Sequence, residues 1–111
     1  MIEKKTKKRK ITYQKALGET LRFIRRRVVD VTLVQLANAN KRSPAFLSEN
    51  ESGKKDITDE VIGYYSNISG ILPFDIIQFA EAYHADPDQV LIQWNKMVTR
   101  VLIDISNGER I

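Results

Sequence analysis

The sequence predicts an all-α fold, a compact helical bundle, and three observations predict it. Apolar residues recur at three- and four-residue steps through most of the chain. Helix-starting residues stand ahead of these runs: Thr12, Thr32, Ser43-Pro44, Thr58, Pro73 and Asp86-Pro87. No segment alternates apolar and polar residues as a half-buried strand does, and there are no internal repeats or low-complexity tracts.

The chain opens on a basic arm, residues 1–11. Residues 1–10 hold six basic residues (Lys4, Lys5, Lys7, Lys8, Arg9, Lys10) against Glu3, while the rest of the chain balances to −1. So polar a stretch is expected to be flexible in isolation. Thr12 caps the first helix, about 13–29, with Leu17, Leu21, Ile24 and Val28 on its inner face. Thr32 caps the second, about 33–39, and Gln35 stands where a capping-box partner belongs. Leu33, Leu36 and Ala37 form its buried stripe, and Asn38-Ala39-Asn40-Lys41-Arg42 breaks the pattern. Ser43 then caps a third helix, about 44–51, with Pro44 at its first position and Gly53 as its stop. Thr58, Asp59 and Glu60 start a fourth, about 59–68, with a stripe of Val61, Ile62, Tyr65 and Ile68 ended by Gly70. Gly63, Tyr64, Tyr65 and Asn67 are weak helix formers, so packing must stabilise it. Pro73 opens the fifth, burying Ile76, Ile77, Phe79, Ala80 and Tyr83. The last, about 87–106, carries Val90, Leu91, Trp94, Met97, Val98, Val101, Leu102 and Ile105 over five turns, before Asn107-Gly108.

Composition narrows the function. A chain of 111 residues suits one domain, residues 12–111, behind the arm. Hydrophobic content of 42% and charged content of 29% fit a globular protein rather than a disordered one. Without cysteine there is no disulfide framework and no thiolate metal site, and His84 is the lone histidine. No apolar run reaches the about 18 residues of a membrane span. The start, Met1-Ile2-Glu3-Lys4-Lys5, lacks the apolar stretch of a secretion signal, so a cytoplasmic location is expected. No Gly-rich phosphate loop, Ser/His/Asp arrangement or metal-ligand cluster is present, and neither an enzyme nor a cofactor is expected. Asp86 and Asp88 are explained as residues of a helix start, and His84 as a charge near a helix end. Tyr64 and Tyr65 could stack on a base or sugar, but core and rim is the better reading of such a pair.

Two short capped helices across a polar turn are the framework that presents a helix to the DNA major groove. Leu17-Gly18, Ile24-Arg25, Arg27, Thr32, Leu36-Ala37, Ser43, Leu47, Glu51 and Gly53-Lys54 stand in order and without a gap from Thr32 to Lys54. With these residues the chain resembles the Xre-type, phage-repressor-like helix-turn-helix proteins. Residues 73–83 and 86–91 look like that family's last two helices. The sequence differs at Leu33, where the family usually has Gln, and at Asn50, where it has an apolar residue. Lys55 to Leu72 is longer than the family's connection, which implies an extra helix inserted between its third and fourth helices.

The resemblance implies sequence-specific binding of double-stranded DNA by a homodimeric transcriptional regulator, most simply a repressor, on a pseudo-palindromic operator. Pro44, Ala45, Phe46, Ser48 and Glu49 would read bases from the third helix while Leu47 faces the core. Ala45 or Phe46 can pack on a thymine methyl, and Glu49 can accept from cytosine N4. The DNA backbone would meet Arg27, Thr32, Arg42, Ser43, Ser52, Lys54, Lys55 and the basic residues of the arm. Glu51 is expected to pair with an arginine of the first helix rather than touch DNA. The broad stripe of the last helix points to a dimer interface of Trp94, Met97, Val98, Val101, Leu102 and Ile105. The alternative is a protein-interaction module on the same fold, an antitoxin or anti-repressor whose apolar C-terminal helix grips a partner protein.

Overall fold

The computed structural model describes residues 11–89, 94–96, 99, 100 and 103. Among them the architecture is all-helical, with no strand. Five α-helices follow in order: α1 (Tyr13–Phe23), α2 (Leu33–Ala39), α3 (Pro44–Glu51), α4 (Asp59–Ser69) and α5 (Pro73–Ala85). Among the described residues no helix is long and apolar enough to cross a membrane.

The ends of the helices are set by the expected residues. Thr12 Oγ1 accepts from Lys15 N at 3.1 Å, and Thr58 Oγ1 accepts from Val61 N at 3.3 Å. Such caps satisfy amides that have no partner inside the helix. Gly53 adopts φ 82°, which only glycine takes without strain, and follows α3 as a Schellman close. Its N–H donates to Asn50 O at 3.1 Å and the Lys54 N–H to Glu49 O at 2.9 Å. Gly70 ends α4 in the same left-handed region. The helix expected at about 59–68 is therefore present, and one residue longer.

The first helix changes character where the sequence predicts continuity. Ile24–Val28 is a π-helical extension of α1, with Val29 N donating to Ile24 O at 3.1 Å. Asp30 then takes φ 56°, and the reversal brings Val31 N to within 3.0 Å of Arg25 O. The last predicted helix also begins differently. Pro87–Gln89 is a 3-10 turn, closed by Gln89 N donating to Asp86 O at 3.0 Å. Trp94–Lys96, Thr99, Arg100 and Ile103 are α-helical.

The core gathers Leu17, Leu21, Ile24, Leu36, Ala37, Leu47, Val61, Ile62, Tyr65, Ile71, Ile76, Phe79 and Ala80. α1 is its axis, packing on α5 and α3, while α2 lies against α3 and α4 against α5 and the π segment. Four stripe residues depart from expectation. Leu33, Val28 and Ile77 are only partly buried, and Ile68 is exposed. Tyr64 is buried instead, because Tyr64 rather than Ile68 faces the α2–α3 turn.

Candidate nucleic-acid interface

The α2–turn–α3 unit is built from short-range bonds. Thr32 and Gln35 form a reciprocal capping box: Thr32 Oγ1 accepts from Gln35 N at 3.0 Å and Gln35 Oε1 from Thr32 N at 2.8 Å. In the turn, the Ala37 carbonyl accepts from Asn40 N at 3.1 Å and Arg42 N at 2.9 Å, and Asn40 Nδ2 donates to Leu36 O at 2.9 Å. Lys41 takes φ 58°, a left-handed conformation that costs a side-chain-bearing residue about 1 kcal/mol or more. The bonds around it over-determine the turn. Ser43 Oγ accepts from Phe46 N at 3.1 Å, and Pro44 occupies the first position of α3.

The orientation of α3 is fixed from beneath. Glu51, 1% exposed, accepts from Arg25 Nε at 2.8 Å and Nη2 at 2.9 Å, a bidentate pair, and from the Tyr65 hydroxyl at 2.7 Å. Arg22 Nε adds a longer contact at 3.5 Å. Arg25 Nη1 also donates to Val31 O at 3.0 Å, so one guanidinium ties α3 to the segment leading into α2. The Glu51 hydrogen bond raises the Arg25 pKa further and keeps the guanidinium charged. Burial, then the Glu51 carboxylate, push the Tyr65 hydroxyl far above its ordinary range. Each charged or polar group here has a partner, which is the condition for keeping it inside at tolerable cost. Asn50 is buried too, donating from Nδ2 to Phe46 O at 3.0 Å, and its Oδ1 has no partner among the described residues.

With Leu47, Asn50 and Glu51 inside, the opposite face of α3 is outside. Pro44, Ala45 and Ser48 are exposed, and Phe46 and Glu49 are partly exposed. All five residues expected to read bases thus reach the surface of one short helix. Glu49 is paired with Lys55 at 3.4 Å, an exposed contact that contributes little to stability.

The residues expected to meet a DNA backbone fall into four groups. Arg27 and Lys54 are exposed. Arg26 and Arg27 line an open groove with Asp30 and Thr32 at the start of α2. Thr32 and Ser43 use an oxygen lone pair for capping and retain a hydroxyl proton to donate. Ser52, Lys55 and Arg42 have partners within the chain. The Ser52 hydroxyl donates to Glu49 O at 3.2 Å, and Arg42 reaches α4. Lys4, Lys5, Lys7, Lys8, Arg9 and Lys10 lie outside the described residues.

Trp94, expected at a dimer interface, makes ring contacts within its own chain. Trp94 stacks on Phe23 with ring centroids 4.2 Å apart and meets Phe79 and Tyr83 at 6.1 and 6.2 Å. It is partly buried there, against aromatic rings of α1 and α5. The stripe pattern alone could not separate a core contact from a subunit contact. Met97, Val98, Val101, Leu102 and Ile105 lie outside the described residues. Sequence reasoning missed the tie between Arg42 and Tyr64. The one available signal was Glu60 four residues before Tyr64, a spacing that lets the two side chains meet on a helix.

Among the described residues there is no group of three or more side chains suited to hold a metal ion. No family model, curated protein or solved structure matches the chain.

Proposed function

We propose that this protein binds double-stranded DNA sequence-specifically, as a homodimeric transcriptional regulator of the phage-repressor helix-turn-helix type, most simply a repressor. The observation that carries the reading is α3. It is a short helix, capped at both ends and locked to α1 through Arg25 and Glu51, with Pro44, Ala45 and Ser48 exposed and Phe46 and Glu49 partly so. A reading helix needs such rigidity, because base discrimination depends on side chains held in register with base edges. Arg27, Ser43 and Lys54 flank it as backbone contacts, and the basic arm supplies sequence-independent attraction.

Selection of bound duplexes from a random pool tests this. The expected result is an inverted-repeat consensus with half-site centres about one helical turn, ~34–36 Å, apart. Enrichment of no sequence, with no binding to duplex at low salt, would remove the reading.

A second reading, a protein-interaction module, is favoured by one feature. Ile68, Leu72 and Phe74 put apolar surface outside around the α4–α5 connection, with Phe74 67% exposed. In that case the selection fails, and changes to Leu72 and Phe74, rather than to α3, abolish activity on the partner.

A further inference from the structure

Arg42 stands in the turn ahead of α3, and α4 holds its guanidinium. Nε donates to the Tyr64 hydroxyl oxygen at 2.8 Å, and Nη2 lies 3.3 Å from Glu60 Oε1. The Tyr64 hydroxyl donates in turn to Glu60 Oε2 at 3.0 Å. The guanidinium carbon sits over the Phe46 ring, 4.7 Å from its centroid. These contacts use the Nε and Nη2 side. The Nη1 edge makes no hydrogen bond or ion pair among the described residues, and the side chain is 36% exposed.

We propose that Tyr64 and Glu60, on the inserted helix, are positioning residues that fix Arg42 to bind a backbone phosphate at the N-terminal end of α3. The inference rests on the DNA-binding reading above. A guanidinium matches phosphate oxygens through paired N–H donors, and it recognises them best when its plane is already set. A long surface side chain normally loses rotamer freedom on binding. Here the Tyr64 bond, the Glu60 bond and the Phe46 ring have imposed that order in the free protein. The inserted helix thereby has a role: it supports the turn through Tyr64 and Glu60. Glu60 carries negative charge towards the interface, but its side chain is 63% exposed, so water screens it.

Duplex binding over a salt series tests the proposal with wild type, Tyr64→Phe, Arg42→Lys, Arg42→Ala and the double variant Tyr64→Phe/Arg42→Ala. Tyr64→Phe keeps the buried ring and the net charge. It should weaken binding by roughly 3- to 10-fold, the range for immobilising one long side chain. Arg42→Lys keeps the charge but cannot hold Tyr64 and Glu60 while presenting a second donor edge. It should weaken binding similarly, with the salt slope unchanged. Arg42→Ala should lower the slope by about 0.9, and adding Tyr64→Phe to it should change nothing more. A Tyr64→Phe effect that persists undiminished in the Arg42→Ala background would overturn the proposal, as would wild-type affinity in Tyr64→Phe. If Tyr64→Phe fails to fold, wild-type affinity in Arg42→Lys overturns it. Wild type that binds no duplex at low salt removes the DNA reading and this inference together, whereas wild type that binds beside unaffected variants removes this inference alone.

Discussion

At Gly18 the α1 backbone approaches α3 so closely that an added Cβ would stand 2.5 Å from the Glu51 carbonyl oxygen and 2.6 Å from that of Asn50. Those oxygens belong to backbone, so no side-chain rotation relieves the clash. Gly18→Ala must therefore push α3 away from α1 and lengthen the Arg25–Glu51 bonds. It should cost about 1–3 kcal/mol, the range for overpacking, read as a lower urea midpoint. Specific binding should suffer more than non-specific binding, because α3 moves while the surface charge stays. The same buried site predicts a pH dependence. Burial and the neighbouring Glu51 carboxylate raise the Tyr65 pKa above its ordinary value of 10.0. A raised pKa in the folded state means stability that is full below the unfolded value and lost as pH rises above it. Stability should thus decline above about pH 10, by at most ~1.4 kcal/mol per pH unit from this group. Tyr65→Phe should decline less steeply over the same window. Urea midpoints for both proteins from pH 9 to 11 make the comparison, and parallel curves would remove Tyr65 as the cause.

At the scale of the element, α3 separates residues that hold it from residues proposed to read bases. Leu47 is fully buried, whereas Glu49 is half outside and paired with Lys55. Glu49→Ala should leave the fold intact and relax preference at one base pair by ~1–3 kcal/mol. Non-specific affinity should rise, since a carboxylate leaves and Lys55 loses its partner. An unchanged consensus in a binding-site selection would exclude Glu49 from readout. The helices and their caps were legible in the sequence because capping is local: Thr12, Thr32, Ser43, Thr58 and Gly53 each act within about four residues. The buried Glu51–arginine pair was legible through family resemblance. The π turn at Ile24–Val28 was not, since it differs from an α turn by one residue of hydrogen-bond spacing and has no composition signal. The Arg42–Tyr64 bond spans 22 residues and depends on how α4 docks, so periodicity gives its partners no address. For the same reason Ile68 and Tyr64 exchanged expected places, as neighbouring stripe positions are resolved only by the surface that receives them.

At the scale of the whole molecule, the proposed DNA-binding reading calls for a second copy, because readout by one α3 would be weak. The outward face of α3 holds no Arg, Gln or Asn to make bidentate base contacts, so one half-site offers limited discrimination. Joining two half-sites makes the second binding event intramolecular, and affinity then rises without any new kind of contact. The stacking of Trp94 on Phe23 narrows where the two copies can meet. Trp94 packs against the chain's own core, and Met97, Val98, Val101, Leu102 and Ile105, outside the described residues, are the sequence's further candidates. Ile103 is helical and 53% exposed. Changing Val101 and Ile105 together to Asp should place two like charges from each copy at the interface, which dimerisation would have to desolvate. The expected product is a folded monomer that keeps wild-type helicity, binds single half-sites as before and loses most of its affinity for the two-half-site operator. Sedimentation at tens of micromolar, paired with binding to one-half-site and two-half-site duplexes, separates the outcomes. Wild type that sediments as a monomer without DNA would count against this interface and move attention to the exposed Leu72 and Phe74, an apolar surface among the described residues.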